Sequence, residues 1–147
     1  KKIKTAYRFG SRYENLIELT GAFHDARIGV CWDTGHANLS GVDQATAVRS
    51  LGSRIKALHL HDNHKTVGDE HLIPGAGDID WEAFLTALAE IGYAGNLNLE
   101  LVTDLEDGEE RAAYLRQAHV SACRLKERFD EFWRIGKELL ARLSTIW

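Results

Sequence analysis

The sequence predicts an α/β fold built on a parallel sheet. Three observations carry that expectation. A helix, a short apolar run and a polar segment recur three times in the same order. Few residues separate the elements, as in parallel α/β units. Each apolar run ends on a carboxylate or imidazole side chain. The first helix is expected from Ser11-Arg12-Tyr13-Glu14, a capping box in which the serine oxygen accepts a backbone N–H while Glu14 reaches back. Leu16, Ile17 and Leu19 follow on one face, and Gly21 is expected to stop the helix. Residues 27–33 are short, apolar and end on Asp33, which suits a buried strand.

The second helix should begin near Asp43, carry Ala47, Val48 and Leu51, and stop at Gly52, with its strand at 55–61. A third should start on Asp80 as N-cap, with Ile79 and Phe84 spaced as a hydrophobic staple, and run over 81–91 to Gly92. The strand 96–101 follows. From 109 to 146 there is no proline, and Ala118, Ala122, Leu125, Phe129, Phe132, Gly136, Leu139 and Leu143 alternate in spacings of four and three. That seam can pack along another helix: it predicts one or two barrel-covering helices broken near Gly136, with intermolecular pairing as the alternative. No linker divides the chain, so residues 1–147 are expected to form one domain with a C-terminal helical segment over 109–146.

Composition narrows the function. With 18 basic against 22 acidic residues the net charge is −4, and nonspecific nucleic-acid binding, which needs a basic surplus, is not expected. No apolar stretch approaches the ~18 residues of a membrane span, and the first ten residues lack the apolar region of a signal peptide. Cys31 and Cys123 do not make a disulfide framework, so a reducing cytoplasm is the expected location.

Side chains that can do chemistry gather where the strands end. The first gives Asp33 and His36, the second His59, His61 and Asp62 followed by His64, Asp69 and His71, and the third Glu100. In a parallel α/β fold these ends share one rim. His59 and His61 are two apart and face one side of their strand, where Asp33 and Glu100 can meet them, while Leu58 and Leu60 face the helices. Taken singly, an aspartate at a strand end is most often a helix cap, and a strand histidine a hydrogen-bonded bystander. Glu100 between leucines is costly unless paired. Recurrence at three successive strand ends points to a divalent-metal site of carboxylates and neutral imidazoles. Gly75 and Gly77 in Pro74-Gly75-Ala76-Gly77 precede a helix start, where backbone N–H groups can approach a phosphate or substrate; the same letters also describe a tight loop.

These residues carry a resemblance. Val30-Cys31-Trp32-Asp33-Thr34-Gly35-His36-Ala37-Asn38, Leu58-His59-Leu60-His61-Asp62-Asn63, the run from Asp69 through Pro74-Gly75-Ala76-Gly77 to Trp81, and the run from Ile91 to Glu100 resemble, in that order, the xylose isomerase-like TIM-barrel superfamily. That group includes sugar (phosphate) isomerases and epimerases and endonuclease IV-type enzymes. The likeness covers roughly residues 9–104. It implies a partial (β/α)8 TIM barrel, its last three strands and their helices, with a long C-terminal helix, since a whole barrel needs at least about 200 residues.

By the same resemblance, Asp33, His59 and Glu100 match three of four ligands of a divalent cation (Mn, Mg, Co or Zn). His59 is chosen over His61 because such ligands tend to sit three residues before an acid, here Asp62. Glu100 is also the implied acid/base group, and His36 matches a substrate-contacting position. His36, His61, Asp69 and His71 are candidates for a second metal or for substrate. The fourth ligand, a glutamate ending the fifth strand, is not among the first ten residues. The implied activity is isomerisation or epimerisation of a sugar or sugar phosphate through an enediolate, with this chain holding part of the site. The alternatives are a multi-zinc phosphodiesterase like endonuclease IV, or an inactive fragment acting as an interaction module. Open sheet edges predict self-association or pairing with a missing N-terminal half-barrel.

Overall fold

A computed structural model describes residues 10, 12–23 and 25–144, without the side chains at 140, 143 and 144. In chain order it holds α1 (Tyr13–Ala22), β1 (Val30–Asp33), α2 (Thr34–Leu39), α3 (Gln44–Leu51), a 3-10 turn (Gly52–Arg54), β2 (Ile55–His59), α4 (Trp81–Glu90) and α5 (Gly108–Ser144). The strands pair in parallel, with Trp32 opposite Leu58 and Asp33 opposite His59. The α/β expectation therefore holds.

Several boundaries differ, each for a local reason. Helix α1 takes Arg12 as N-cap with no side-chain cap bond and runs through Gly21 to Ala22; Ser11 of the expected capping box lies outside the described residues. Strand β1 is shorter than 27–33 because Arg27 and Ile28 belong to a turn. The N–H of Ile28 donates to Asp25 O at 3.1 Å, and that of Arg27 to Asp25 Oδ1 at 2.9 Å. Strand β2 stops at His59 because the neighbouring chain turns into α2 at Thr34. The Thr34 side chain then carries the pairing one step further: His61 N–H donates to its Oγ1 at 3.1 Å, and its hydroxyl donates to His61 O at 2.7 Å.

The expected strand 96–101 is reduced to one parallel bridge, Leu60 with Leu99. It is closed by Leu60 N–H to Asn98 O at 2.8 Å and Glu100 N–H to Leu60 O at 3.0 Å. The Asn96 carbonyl accepts the Tyr93 hydroxyl at 3.0 Å instead of a strand neighbour. That single rung still places Glu100 beside the ends of β1 and β2.

The expected caps of α3 and α4 form. Asp43 accepts from Thr46 N–H at 2.7 Å and Asp80 from Ala83 N–H at 3.0 Å. Ile79 and Phe84, the expected staple positions, are both buried. Leu58 and Leu60 on the strand side meet Val48 and Leu51 of α3 and Phe84, Leu85 and Leu88 of α4 in one core. Helix α5 is unbroken through Gly136, which costs about 1 kcal/mol relative to alanine; the Arg134–Glu138 pair at 3.1 Å spans that position. Its seam packs inward at Ala118, Leu125 and Phe129, while Leu139 is exposed. No described helix is long and apolar enough to cross a membrane.

Candidate metal centre

Asp33 occupies two roles at once. As N-cap of α2 its Oδ1 accepts the His36 backbone N–H at 2.8 Å. The same oxygen lies 3.0 Å from His61 Nε2. Its other oxygen, Oδ2, is 3.1 Å from His36 Nδ1 and 3.9 Å from His59 Nδ1. His59 Nδ1 in turn lies 2.8 Å from Oε2 of Glu100. One donor atom from each of Asp33, His59 and Glu100 falls within 4.8 Å of the others.

The strand parity anticipated from the sequence explains this convergence. His59 and His61 project to the face opposite Leu58 and Leu60, which are fully buried. His59 keeps a 49% exposed side chain while that of His61 is 0% exposed. Burial pushes the Asp33 carboxyl up, but the hydrogen bond with His61, the His36 N–H and the two imidazole charges outweigh it and hold its pKa below the ordinary value. For His61 burial pushes down, and the hydrogen bond to Asp33 with the charges of Asp33, Asp69 and Glu100 outweighs it, leaving the pKa raised. The Cys31 thiol is pushed up by burial and then by Asp33 and Glu100.

A divalent cation fits the residues present. Two carboxylates and an imidazole are the donor set that such ions take. Glu100 Oε2 is buried and makes no hydrogen bond of acceptable geometry despite its closeness to His59. Two donors so placed are jointly satisfied by a shared ion.

The second set of candidates is contiguous with the first. His36 Nε2 is 3.0 Å from Asp69 Oδ2, and the same oxygen is 3.4 Å from His71 Nε2. His71 stands at φ 50, a left-handed conformation that favours glycine and is costly for a histidine. Its ring stacks on His61 at 3.9 Å, and its Nδ1 is 3.2 Å from the Glu100 carbonyl. His64 bonds Glu70 instead, at 3.1 Å. A cavity of about 240 Å³ reaches Asp33 and His36 beside Tyr13, Leu16, Trp32 and Ala37. A groove of about 340 Å³ between Pro74, Trp81 and α5 shares none of the candidate ligands.

Gly75 and Gly77, expected as a phosphate or substrate loop, are held by internal contacts. The Gly75 N–H donates to Asp62 Oδ2 at 2.8 Å, with Gly75 at φ 92. A Cβ at Gly77 would lie 2.3 Å from Asp62 Oδ1 and 2.4 Å from Asn63 O. Sequence reasoning placed Asp62 at the strand end and used it as a spacing mark, without a structural role. It is fully buried and also accepts from Asn63 N–H at 3.0 Å, Ile79 N–H at 3.3 Å and Trp81 Nε1 at 2.8 Å, tying the loop to the end of β2. Asn38 and Asn63 join the cluster through a 2.9 Å side-chain bond, and Asn63 donates to Gly35 O at 3.0 Å. Asparagines beside an acid at a strand end were the available signal for these.

Residues 4–119 match the family described as xylose isomerase-like TIM barrel. The chain belongs to that family. Among its relatives, an uncharacterized protein of Sinorhizobium fredii is 37% identical over 100 residues, covering 68% of this chain and 32% of its own length. A D-psicose 3-epimerase of Enterocloster bolteae is 29% identical over 87 residues, covering 59% of this chain and 27% of its own. A crystal structure of a D-tagatose 3-epimerase-like protein superposes with TM-score 0.57 at 29% identity, over 90% of this chain and 44% of that one. This xylose isomerase-like chain thus spans about a third of the curated relatives and under half of the crystallised one.

Proposed function

We propose that this chain supplies part of the active site of a divalent-metal-dependent isomerase or epimerase acting on a sugar or sugar phosphate. The observation that carries the reading is the convergence of Asp33, His59 and Glu100 within 4.8 Å, with a buried Glu100 oxygen lacking a hydrogen bond. Epimerases among the relatives support the substrate class. Asp33 Oδ2, His59 Nδ1 and Glu100 Oε2 would hold the cation. When bound, it supplies Lewis-acid stabilisation of the enediolate charge that develops as a proton leaves the carbon beside a carbonyl. Glu100 takes or returns that proton. His36, exposed on α2 and oriented by Asp33 and Asp69, hydrogen-bonds a substrate hydroxyl.

The test is exchange of substrate carbon-bound hydrogen with deuterated water by the enzyme containing this chain, assayed on ketoses with and without a phosphate. Glu100→Gln should lower exchange by about 10²–10⁴-fold. A variant that keeps most of its activity overturns the assignment. A second reading, a multi-zinc phosphodiesterase, is favoured by the His36, Asp69 and His71 group, whose donor atoms also lie within 4.8 Å of one another. Salt-sensitive binding to abasic duplex DNA would support that reading instead.

A further inference from the structure

His61 is the most enclosed member of the cluster and has no ligand role in the reading above. Its Nε2 meets Asp33 Oδ1 at 3.0 Å, the oxygen that also accepts the His36 N–H at 2.8 Å. Two partners on Oδ1 fix the rotation of the carboxylate and leave Oδ2 between His36 Nδ1, at 3.1 Å, and His59 Nδ1, at 3.9 Å. The other nitrogen, Nδ1, is buried without a hydrogen-bond partner. An imidazole whose single partner is a carboxylate places its proton on that side, as the Nε2–H tautomer. The ring itself is held flat against His71, with an interplanar angle of 7°. Gly35 also lies against the ring, where a Cβ would come within 1.9 Å of Cε1.

The stack argues against a ligand role. Donor atoms of His61, His71 and Glu100 do approach one another within 4.8 Å. Imidazole lone pairs, however, lie in the ring plane. Two nearly parallel rings 3.9 Å apart aim theirs side by side, and not at one ion about 2.0–2.1 Å from each nitrogen.

We propose that His61 is a positioning residue that presents Asp33 Oδ2 to the cation by donating Nε2–H to Oδ1, with Gly35 and His71 fixing the plane of its ring. The inference rests on the reading of Asp33, His59 and Glu100 as ligands. Hydrogen-bond partners of metal-binding side chains commonly contribute 10- to 100-fold in affinity, because they remove the freedom of the ligand to rotate away.

The test is calorimetric titration of the full chain with Mn²⁺, comparing the unaltered protein with His61→Phe, His61→Gln and Asp33→Ala, each checked by circular dichroism. Phenylalanine keeps the stacked ring and removes the donor, whereas glutamine returns an amide N–H where Nε2 lies. His61→Phe should weaken Mn²⁺ binding about 10- to 100-fold, and His61→Gln should restore most of the loss. Unchanged affinity in His61→Phe, with binding abolished in Asp33→Ala, overturns the role of His61 alone. Affinity unchanged in Asp33→Ala, or no binding by the unaltered chain, overturns the ligand reading beneath it. Independently of metal, long-range ¹⁵N spectra of the unaltered chain should show His61 as the Nε2–H tautomer, even if His61→Phe fails to fold. An Nδ1–H tautomer overturns the proposal.

Discussion

At the scale of single residues, the site is a set of side chains that each answer to two demands. Asp33 caps α2 and faces His59; Glu100 closes a backbone bridge to Leu60 while its carboxylate joins the cluster. Asp62 shows the structural half most clearly. Removing its carboxylate leaves the N–H groups of Asn63, Gly75 and Ile79 and the Trp81 indole without their acceptor. At about 1–3 kcal/mol per orphaned buried donor, Asp62→Ala should cost about 3 kcal/mol or more, read as a lower urea midpoint. A midpoint unchanged from the parent would show that the loop is held elsewhere. The strand-end carboxylates and imidazoles were legible as a group from the apolar runs they follow, whereas the choice of Asp33, His59 and Glu100 among them came from the family resemblance. Thr34, Gly35, Asn38 and Asn63 were not, because their partners lie 25 to 28 residues away and only the fold brings them in.

At the scale of elements, local chemistry decided most boundaries and long-range pairing decided the rest. The aspartate caps at 43 and 80 are intra-segment hydrogen bonds, and the sequence declares them. Asp80→Ala should therefore cost about 1 kcal/mol, measurable by thermal or urea unfolding. The third strand is reduced to one rung because a short apolar run after a helix marks a place for a strand, not whether a neighbour supplies a ladder. Tyr93 captures a carbonyl that the ladder would have used. Helix α5 was expected to break at Gly136 because glycine is a weak helix former. A Cβ there would meet nothing within 4 Å. Gly136→Ala should accordingly stabilise the protein by about 0.5–1 kcal/mol, and a destabilised variant would mean the glycine has a packing role that this helix does not display.

At the scale of the whole molecule, the core lies between the strands and α3, α4 and α5, and the candidate ligands lie on the opposite face of the strands. The xylose isomerase-like fold thus separates what holds the chain together from what it presents, since Leu58 and Leu60 pack where His59 and His61 do not. The chain spans under half of the crystallised relative, and the proposed cation has three ligands from it. The central claim is that Asp33, His59 and Glu100 together hold one divalent cation. Elemental analysis of the chain equilibrated with manganese and freed of excess tests it most directly, alongside Asp33→Ala, His59→Ala and Glu100→Ala. The account predicts one manganese per chain in the parent and loss of it in each variant. No bound metal in the parent, or metal retained when any of the three side chains is removed, would contradict it.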